Sequence, residues 1–207
     1  MSTLVVGDVH GCAEELDVLL KKVQAQRVVF VGDLFTKGPD PAGVFSLVRD
    51  HETVLGNHEE RLIRALQGGG ISRSVSMTMA LLDVDPWWRT WIQSLPLFLE
   101  VGGFTVVHAG LHPTGELELT TREMALVMRR FPMTDPAALF WWKQYTGDRR
   151  VIFGHDAIRG LVRVERAGKP QLIGLDTGCV YGGSLSGYVI ESDEVVQVPA
   201  AHVYRRP

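Results

Sequence analysis

The first loop of the sequence combines two residue types that bind metal ions. The apolar run 4–6 leads into Gly7-Asp8-Val9-His10-Gly11, so an aspartate and a histidine lie two residues apart at the end of a predicted strand. Alternate residues of an extended segment point the same way, and Asp8 and His10 can therefore converge on one ion. A carboxylate beside an imidazole suits a divalent transition metal such as manganese, iron or zinc. Taken alone, the segment fits a buried Asp–His pair equally well.

The same arrangement, an apolar strand followed by a glycine-flanked polar loop, recurs four more times. The further loops are Gly32-Asp33, Gly56-Asn57-His58-Glu59, His108-Ala109-Gly110 and Gly154-His155. Polar groups that are merely satisfied within a core have no reason to recur at successive strand ends, whereas the residues of a site do. The set therefore predicts one shared site built from five loops.

The composition is that of a globular protein. The 207 residues are 45% hydrophobic and 22% charged, which is ample for a full core, and we expect a single domain over 1–207 with a helical cap inserted at about 71–95. The net charge of −3 argues against a broad surface for nucleic acid or anionic membrane. No apolar run approaches the length of a membrane span, and Cys12 and Cys179 are the only cysteines. We expect a cytoplasmic protein with reduced thiols.

The elements that must carry these loops alternate between strand and helix. Helices are predicted over 12–23, from Pro41 onward and over 59–66, each after a strand, with strands at 28–31 and 54–55. This order predicts an α/β domain whose ligands lie at the carboxyl ends of the strands. Helices are further predicted within 72–95, over 120–130 and over 136–143, and strands at 161–166, 171–175, 187–190 and 195–198.

Together, the five loops resemble those of the phosphoprotein-phosphatase branch of the calcineurin-like metallophosphoesterases. The resemblance implies a four-layer α/β/β/α sandwich with a small helical cap and a two-metal site at the sheet edges. It implies two divalent cations, manganese in the first place, with iron, zinc, cobalt or nickel as alternatives. The implied ligands are Asp8, His10 and Asp33 for one ion, and Asp33, Asn57, His108 and His155 for the other.

The same resemblance implies catalytic roles for Asp33, which bridges the ions, and for His58, the general acid. The family motif Gly-Asp-x-x-Asp-Arg-Gly has Thr36 and Lys37 at its Asp and Arg positions here. Lys37 is expected to bind phosphate as a point charge, because an ammonium lacks the planar fork of a guanidinium. Segment 175–183 looks like the closing motif of bacterial symmetrical diadenosine tetraphosphatases, and its Tyr181 is a candidate substrate contact.

The function predicted first is the symmetrical hydrolysis of diadenosine tetraphosphate to two ADP by a dimetal-activated water. The alternative is a phosphatase for phosphoserine, phosphothreonine or phosphotyrosine in proteins. A polynucleotide-end phosphatase is a further alternative, since 142–147 is similar to a segment of bacterial polynucleotide kinase–phosphatases. A non-catalytic metal or nucleotide sensor is the fourth. The expected partner is accordingly a dinucleoside polyphosphate or a phosphoprotein, and the oligomeric state stays open.

Three local questions also stay open at this point. The tryptophans of the cap fit either core packing or a stacking surface for adenine. Glu59 fits either a residue that orients His58 or one that opens a helix. A second phosphate contact has six candidates, which are Arg61, Arg64, Arg122, Arg129, Arg130 and Lys143.

Overall fold

Two five-stranded sheets face each other in the structure, a computed structural model that describes residues 2–206. The first sheet has the order β10-β9-β1-β2-β3 and the second the order β4-β5-β6-β8-β7. The strands are β1 (Thr3–Val6), β2 (Arg27–Phe30), β3 (Glu52–Thr53), β4 (Phe98–Val101), β5 (Phe104–Val107), β6 (Arg150–Phe153), β7 (Val162–Arg166), β8 (Lys169–Gly174), β9 (Ser184–Val189) and β10 (Glu194–Pro199).

Both sheets are mixed, and each has a parallel centre. β1, β2 and β3 run parallel, and β9 joins β1 in the antiparallel sense. In the second sheet β5, β6 and β8 are parallel, with β4 and β7 antiparallel at the edges. Parallel neighbours end at the same edge, so the loops that follow β1, β2, β5 and β6 are brought together. The predicted α/β class is confirmed.

Helices cover the outer faces of the sheets. α1 begins after Cys12 and ends at Gln24, which takes the left-handed conformation. α2 begins with a proline at its first position, and the side chain of Asp40 accepts the N–H of Gly43 at 2.7 Å. The helices are α1 (Ala13–Val23), α2 (Pro41–Val48), α3 (Asn57–Leu66), α4 (Arg73–Leu82), α5 (Trp88–Gln93) and α6 (Arg122–Val127).

Three apolar layers separate the four layers of secondary structure. The first lies between the first sheet and α1 to α5. The second lies between the sheets, where Val5 and Val29 meet Val106 and Ile152. The third lies outside the second sheet, under α6 and Trp141. No helix within residues 2–206 is long and apolar enough to cross a membrane.

Several predicted elements differ from those observed. The strand placed at 54–55 is the short β3, and Val54 and Leu55 lie buried beyond its end. The helix placed at 120–130 is only α6. The helix placed at 136–143 is wrong, since only a single 3₁₀ turn forms at Trp141–Lys143. There, the N–H of Trp141 bonds to the carbonyl of Arg129 at 3.1 Å, and burial of the indole overrides the local helical pattern.

The tryptophans of the cap divide into buried and exposed members. Trp88 and Trp91 are buried, and their indole N–H groups donate to Asp83 at 2.9 Å and to the carbonyl of Arg49 at 3.1 Å. Trp87 is 48% exposed. Core packing therefore accounts for Trp88 and Trp91, and only Trp87 offers an open ring face.

Trp88→Ala should lower the free energy of unfolding by about 3–5 kcal/mol, because it removes a fully buried indole and its hydrogen bond. Trp87→Ala is the matched control and should cost less than half as much, since half of its surface is already in water. Urea denaturation of both variants measures the difference. Equal losses would contradict this division of the cap.

Candidate metal centre

The six predicted metal ligands all lie where the edges of the two sheets meet. Each one follows a strand, except for Asn57, which is the first residue of α3. All are buried apart from His155, which is partly exposed. The strands that precede them are β1 for Asp8 and His10, β2 for Asp33, β5 for His108 and β6 for His155.

One cluster forms around His10. Its Nε2 atom lies 3.6 Å from Oδ2 of Asp33 and 4.0 Å from Oδ2 of Asp8. The ammonium of Lys37 lies 2.8 Å from the same Nε2. Asp8 also accepts the N–H of His155 at 3.1 Å, which ties the first loop to the last.

A second cluster forms around Asn57 and shares Asp33 with the first. Oδ1 of Asn57 lies 2.9 Å from Nε2 of His108 and 3.1 Å from Nδ1 of His155. Nε2 of His108 is 3.4 Å from Oδ1 of Asp33. The Nδ1–H of His108 donates to the carbonyl of Val31 at 2.8 Å, which leaves Nε2 with the free lone pair that a metal ligand needs.

The backbone of the site takes conformations that non-glycine residues rarely adopt. The φ angles of His10, Asp33, Lys37 and His155 are 48°, 56°, 76° and 73°. Residues in this region tend to occur at functional sites, where the surrounding structure imposes the conformation. Gly154 is required for space, because a Cβ there would lie 2.0 Å from Oδ1 of Asp8.

Glu59 holds the loop that carries Asp33. Its two carboxylate oxygens accept the N–H of Asp33 at 2.7 Å and that of Leu34 at 2.9 Å, and its side chain is fully buried. Glu59 thus supports the Asp33 loop, a role that the sequence analysis did not assign to it. The sequence feature that could have pointed to this role is a carboxylate directly after Asn57-His58, at the start of α3.

Burial dominates the electrostatics of the centre. It raises the pKa of Asp33 and of Asp176 to about 6 and that of Glu59 to about 7, and it raises the pKa of Asp8 as well. It lowers the pKa of His108 to about 4. The centre therefore gathers carboxyl and imidazole groups whose charged forms burial disfavours. Such a set of carboxylates, imidazoles and one amide fits two divalent cations that share Asp33.

His58 sits beside the first cluster and contacts Thr36. Its Nδ1 atom lies 2.5 Å from Oγ1 of Thr36, so a hydroxyl takes the place of the carboxylate partner that the family motif has. Its Nε2 atom is 3.8 Å from Oδ2 of Asp33. His58 could therefore complete the ligands around His10 and Asp33, or act on a substrate bound there.

Lys37 and Tyr181, the two predicted substrate contacts, line one cavity of about 370 Å³ at the centre. The ammonium of Lys37 lies 5.3 Å from the centre of the Tyr181 ring. Asp176, for which the sequence suggested no role, lines the same cavity. It is buried, and its carboxylate accepts the N–H of Gly178 at 3.1 Å.

The six basic candidates for a second phosphate contact separate by their surroundings. Arg64 and Arg122 both pair with Glu60, at 3.2 and 2.6 Å. Arg130 and Lys143 lie against the ring of Phe140, 4.4 and 5.9 Å from its centre. Of the other two, Arg129 lines the cavity of Tyr181, and Arg61 lines a smaller cavity beside His58.

The sequence and the fold are similar to those of known phosphoesterases. The family model described as calcineurin-like phosphoesterase matches residues 1–172. A bis(5′-nucleosyl)-tetraphosphatase of Oceanobacillus iheyensis, named asymmetrical, is 28% identical over 94% of this chain and 90% of its own. One from a Janthinobacterium strain, named symmetrical, is 28% identical over 96% of each. A crystal structure of a proposed diadenosine tetraphosphatase is 32% identical, with a TM-score of 0.82, over 96% of this chain and 93% of its own.

Asp33→Asn should lower the metal content and reduce phosphoesterase turnover by several powers of ten while the fold persists, because it weakens the ligand that both clusters share. Metal analysis, circular dichroism and turnover of p-nitrophenyl phosphate measure the three effects. Asp50→Asn, which alters an exposed aspartate, is the control. Near-normal metal content and turnover in Asp33→Asn would refute the two-ion assignment.

Proposed function

The chain belongs to the calcineurin-like phosphoesterase family, and we propose that it hydrolyses dinucleoside polyphosphates, cutting diadenosine tetraphosphate symmetrically into two ADP. The observation that carries the proposal is the pair of ligand clusters that share Asp33. Two divalent cations held by these clusters would stabilise the charge on the attacking and leaving oxygens of an in-line displacement.

Six residues would hold the two ions. Bound there, the ions would lower the pKa of a water and offset the charge of the phosphate oxygens. Manganese is the proposed metal, because carboxylate oxygens suit it, and the imidazoles of the set also fit iron, nickel or zinc. The holding residues are Asp8, His10, Asp33, Asn57, His108 and His155.

The other side chains of the centre act on the substrate. Lys37 attracts the phosphate that is attacked. As the water oxygen bonds to phosphorus, the bridging P–O bond breaks and its electron pair stays on the leaving oxygen. His58 gives that oxygen a proton from Nε2, while Thr36 fixes the ring through Nδ1, and the proton of the water passes to solvent.

Two features favour a dinucleotide over a phosphoprotein. The cavity beside Lys37 has a volume within the range of small-molecule pockets, and Tyr181, Ala157 and Ile158 give it apolar surface for a base. The motif positions of Thr36 and Lys37 also depart from the Asp-Arg pair of the protein phosphatases. The symmetrical cut is proposed because segment 175–183 resembles the closing motif of the symmetrical enzymes. Relatives named symmetrical and relatives named asymmetrical both match the chain. Two buried free cysteines agree with a reducing, cytoplasmic setting.

His58→Asn should keep both ions but lose roughly 10²–10⁴ in rate on substrates with poor leaving groups, because the leaving oxygen no longer receives a proton. The loss on p-nitrophenyl phosphate, whose leaving group needs little protonation, should be smaller. Metal analysis and kinetics with both kinds of substrate test this, with the exposed His51→Asn as control. A fall in metal content would instead make His58 a ligand.

With Mn²⁺ present, kcat/KM for diadenosine tetraphosphate should exceed that for a phosphoserine or phosphothreonine peptide by at least about tenfold, or roughly 1.4 kcal/mol of transition-state binding. ADP should be the sole nucleotide product by anion-exchange chromatography. ATP together with AMP would establish the asymmetrical cut. A preference for the phosphopeptide would assign the chain to the protein phosphatases.

A further inference from the structure

A second cavity, of about 180 Å³, opens beside His58. It shares Lys37 with the cavity of Tyr181, but it borders His58, whereas the cavity of Tyr181 borders His155. That space suits phosphate groups, and it is smaller than the 300 Å³ or more that is common for pockets of nucleoside-sized ligands.

The wall of this cavity is positively charged. Its cations are Lys37, Arg61 and Arg205, and no carboxylate of residues 2–206 lines it. Within residues 2–206, neither Arg61 nor Arg205 makes a salt bridge or a side-chain hydrogen bond. Ser72 and Ser74 add two hydroxyls, whose oxygens are 3.1 Å apart. These are the donors that a phosphate chain needs.

The neighbouring groove between α3 and α6 shows the contrast. It is also lined by arginines, but Glu60 and Glu123 lie among them, and Glu60 pairs with both Arg64 and Arg122. Its positive charge is therefore largely offset within the protein. Arg61 borders both spaces, and the cavity beside His58 adds Lys37 and Arg205 with no carboxylate among its described lining residues.

The cavity lies on the side of His58 where the leaving group of the proposed reaction would extend. In the proposed hydrolysis, His58 protonates the oxygen that leaves, so whatever is attached to that oxygen extends past His58. In a dinucleoside polyphosphate, the leaving oxygen is bonded to the next phosphorus, whose phosphate oxygens carry further negative charge. We propose that the cavity of Arg61 and Arg205 binds the phosphates of the leaving nucleotide, an inference that rests on the proposed function.

Arg205 reaches this position because residues 201–205 are held in place. Its backbone N–H donates to the carbonyl of Val180 at 3.0 Å, next to Tyr181. One carboxylate oxygen of Glu15, on α1, accepts the hydroxyl of Tyr204 at 2.8 Å and the N–H of Ala201 at 2.9 Å. Residues 201–205 are thus fixed against both α1 and segment 175–183, and Arg205 is a specificity residue of the centre.

Arg205→Gln and Arg61→Gln should each lower the ratio of kcat/KM for diadenosine tetraphosphate to kcat/KM for p-nitrophenyl phosphate by at least about tenfold, because only the first substrate has a polyphosphate leaving group. Arg205→Lys should recover part of the ratio, since it keeps the charge. The matched controls are Arg206→Gln, one residue along, and Arg64→Gln, which lies on α3 but is paired with Glu60. Neither control should change the ratio.

A second measurement separates this inference from the proposed function. ADP, with Mn²⁺ in excess, should inhibit hydrolysis of p-nitrophenyl phosphate, and its inhibition constant should rise at least about tenfold in Arg205→Gln but not in Arg206→Gln. One outcome is that the wild-type protein fails to cleave diadenosine tetraphosphate while the inhibition constant of ADP still rises in Arg205→Gln. In that case the subsite stands and the proposed substrate is wrong. An unchanged inhibition constant in Arg205→Gln and Arg61→Gln would overturn the subsite.

Discussion

The burial of four carboxylates at one point is the constraint on which the rest of this structure depends. Each is at most 5% exposed, and an isolated buried carboxylate is costly unless it is hydrogen-bonded or paired with a cation. Each accepts at least one backbone N–H, and the donors include His155 for Asp8 and His58 for Asp33. The carboxylates thus tie the ligand loops to one another, and the charge that remains is what two cations would neutralise. The four are Asp8, Asp33, Glu59 and Asp176.

This constraint links the site to the fold. The loops come from both sheets, so their side chains meet only because an apolar layer that includes Val29 and Val106 holds the sheets face to face. Three of the six predicted ligands also have positive φ angles, a local cost that the paired strands around them must offset. Gly154 shows how tight the arrangement is, since a single methyl group there would occupy the space of the Asp8 carboxylate.

The parts of the structure that could be predicted are those that depend on residues close together in the sequence. Strands that end in glycine-flanked polar loops have a short-range pattern, and the α/β class and the convergence of Asp8, Asp33 and His108 followed from it. The helix expected at 136–143 failed because burial of Trp141 decides that segment. The contacts of Glu59 with the Asp33 loop and the approach of Arg205 to His58 depend on pairs far apart in sequence, which no local pattern encodes.

The departure from Asp-Arg to Thr36-Lys37 has a physical consequence for the ligand that the centre accepts. An arginine binds one phosphate through two parallel hydrogen bonds, whereas a lysine supplies positive charge without fixing the orientation of the phosphate. Lys37 lines both cavities, so its charge acts on each of them. Among the described residues, Arg61 and Arg205 beyond His58 have no ion-pair partner, so positive charge is spread along a path instead of being concentrated on one group. A path of that kind favours a chain of phosphates over a single phosphate on a protein side chain.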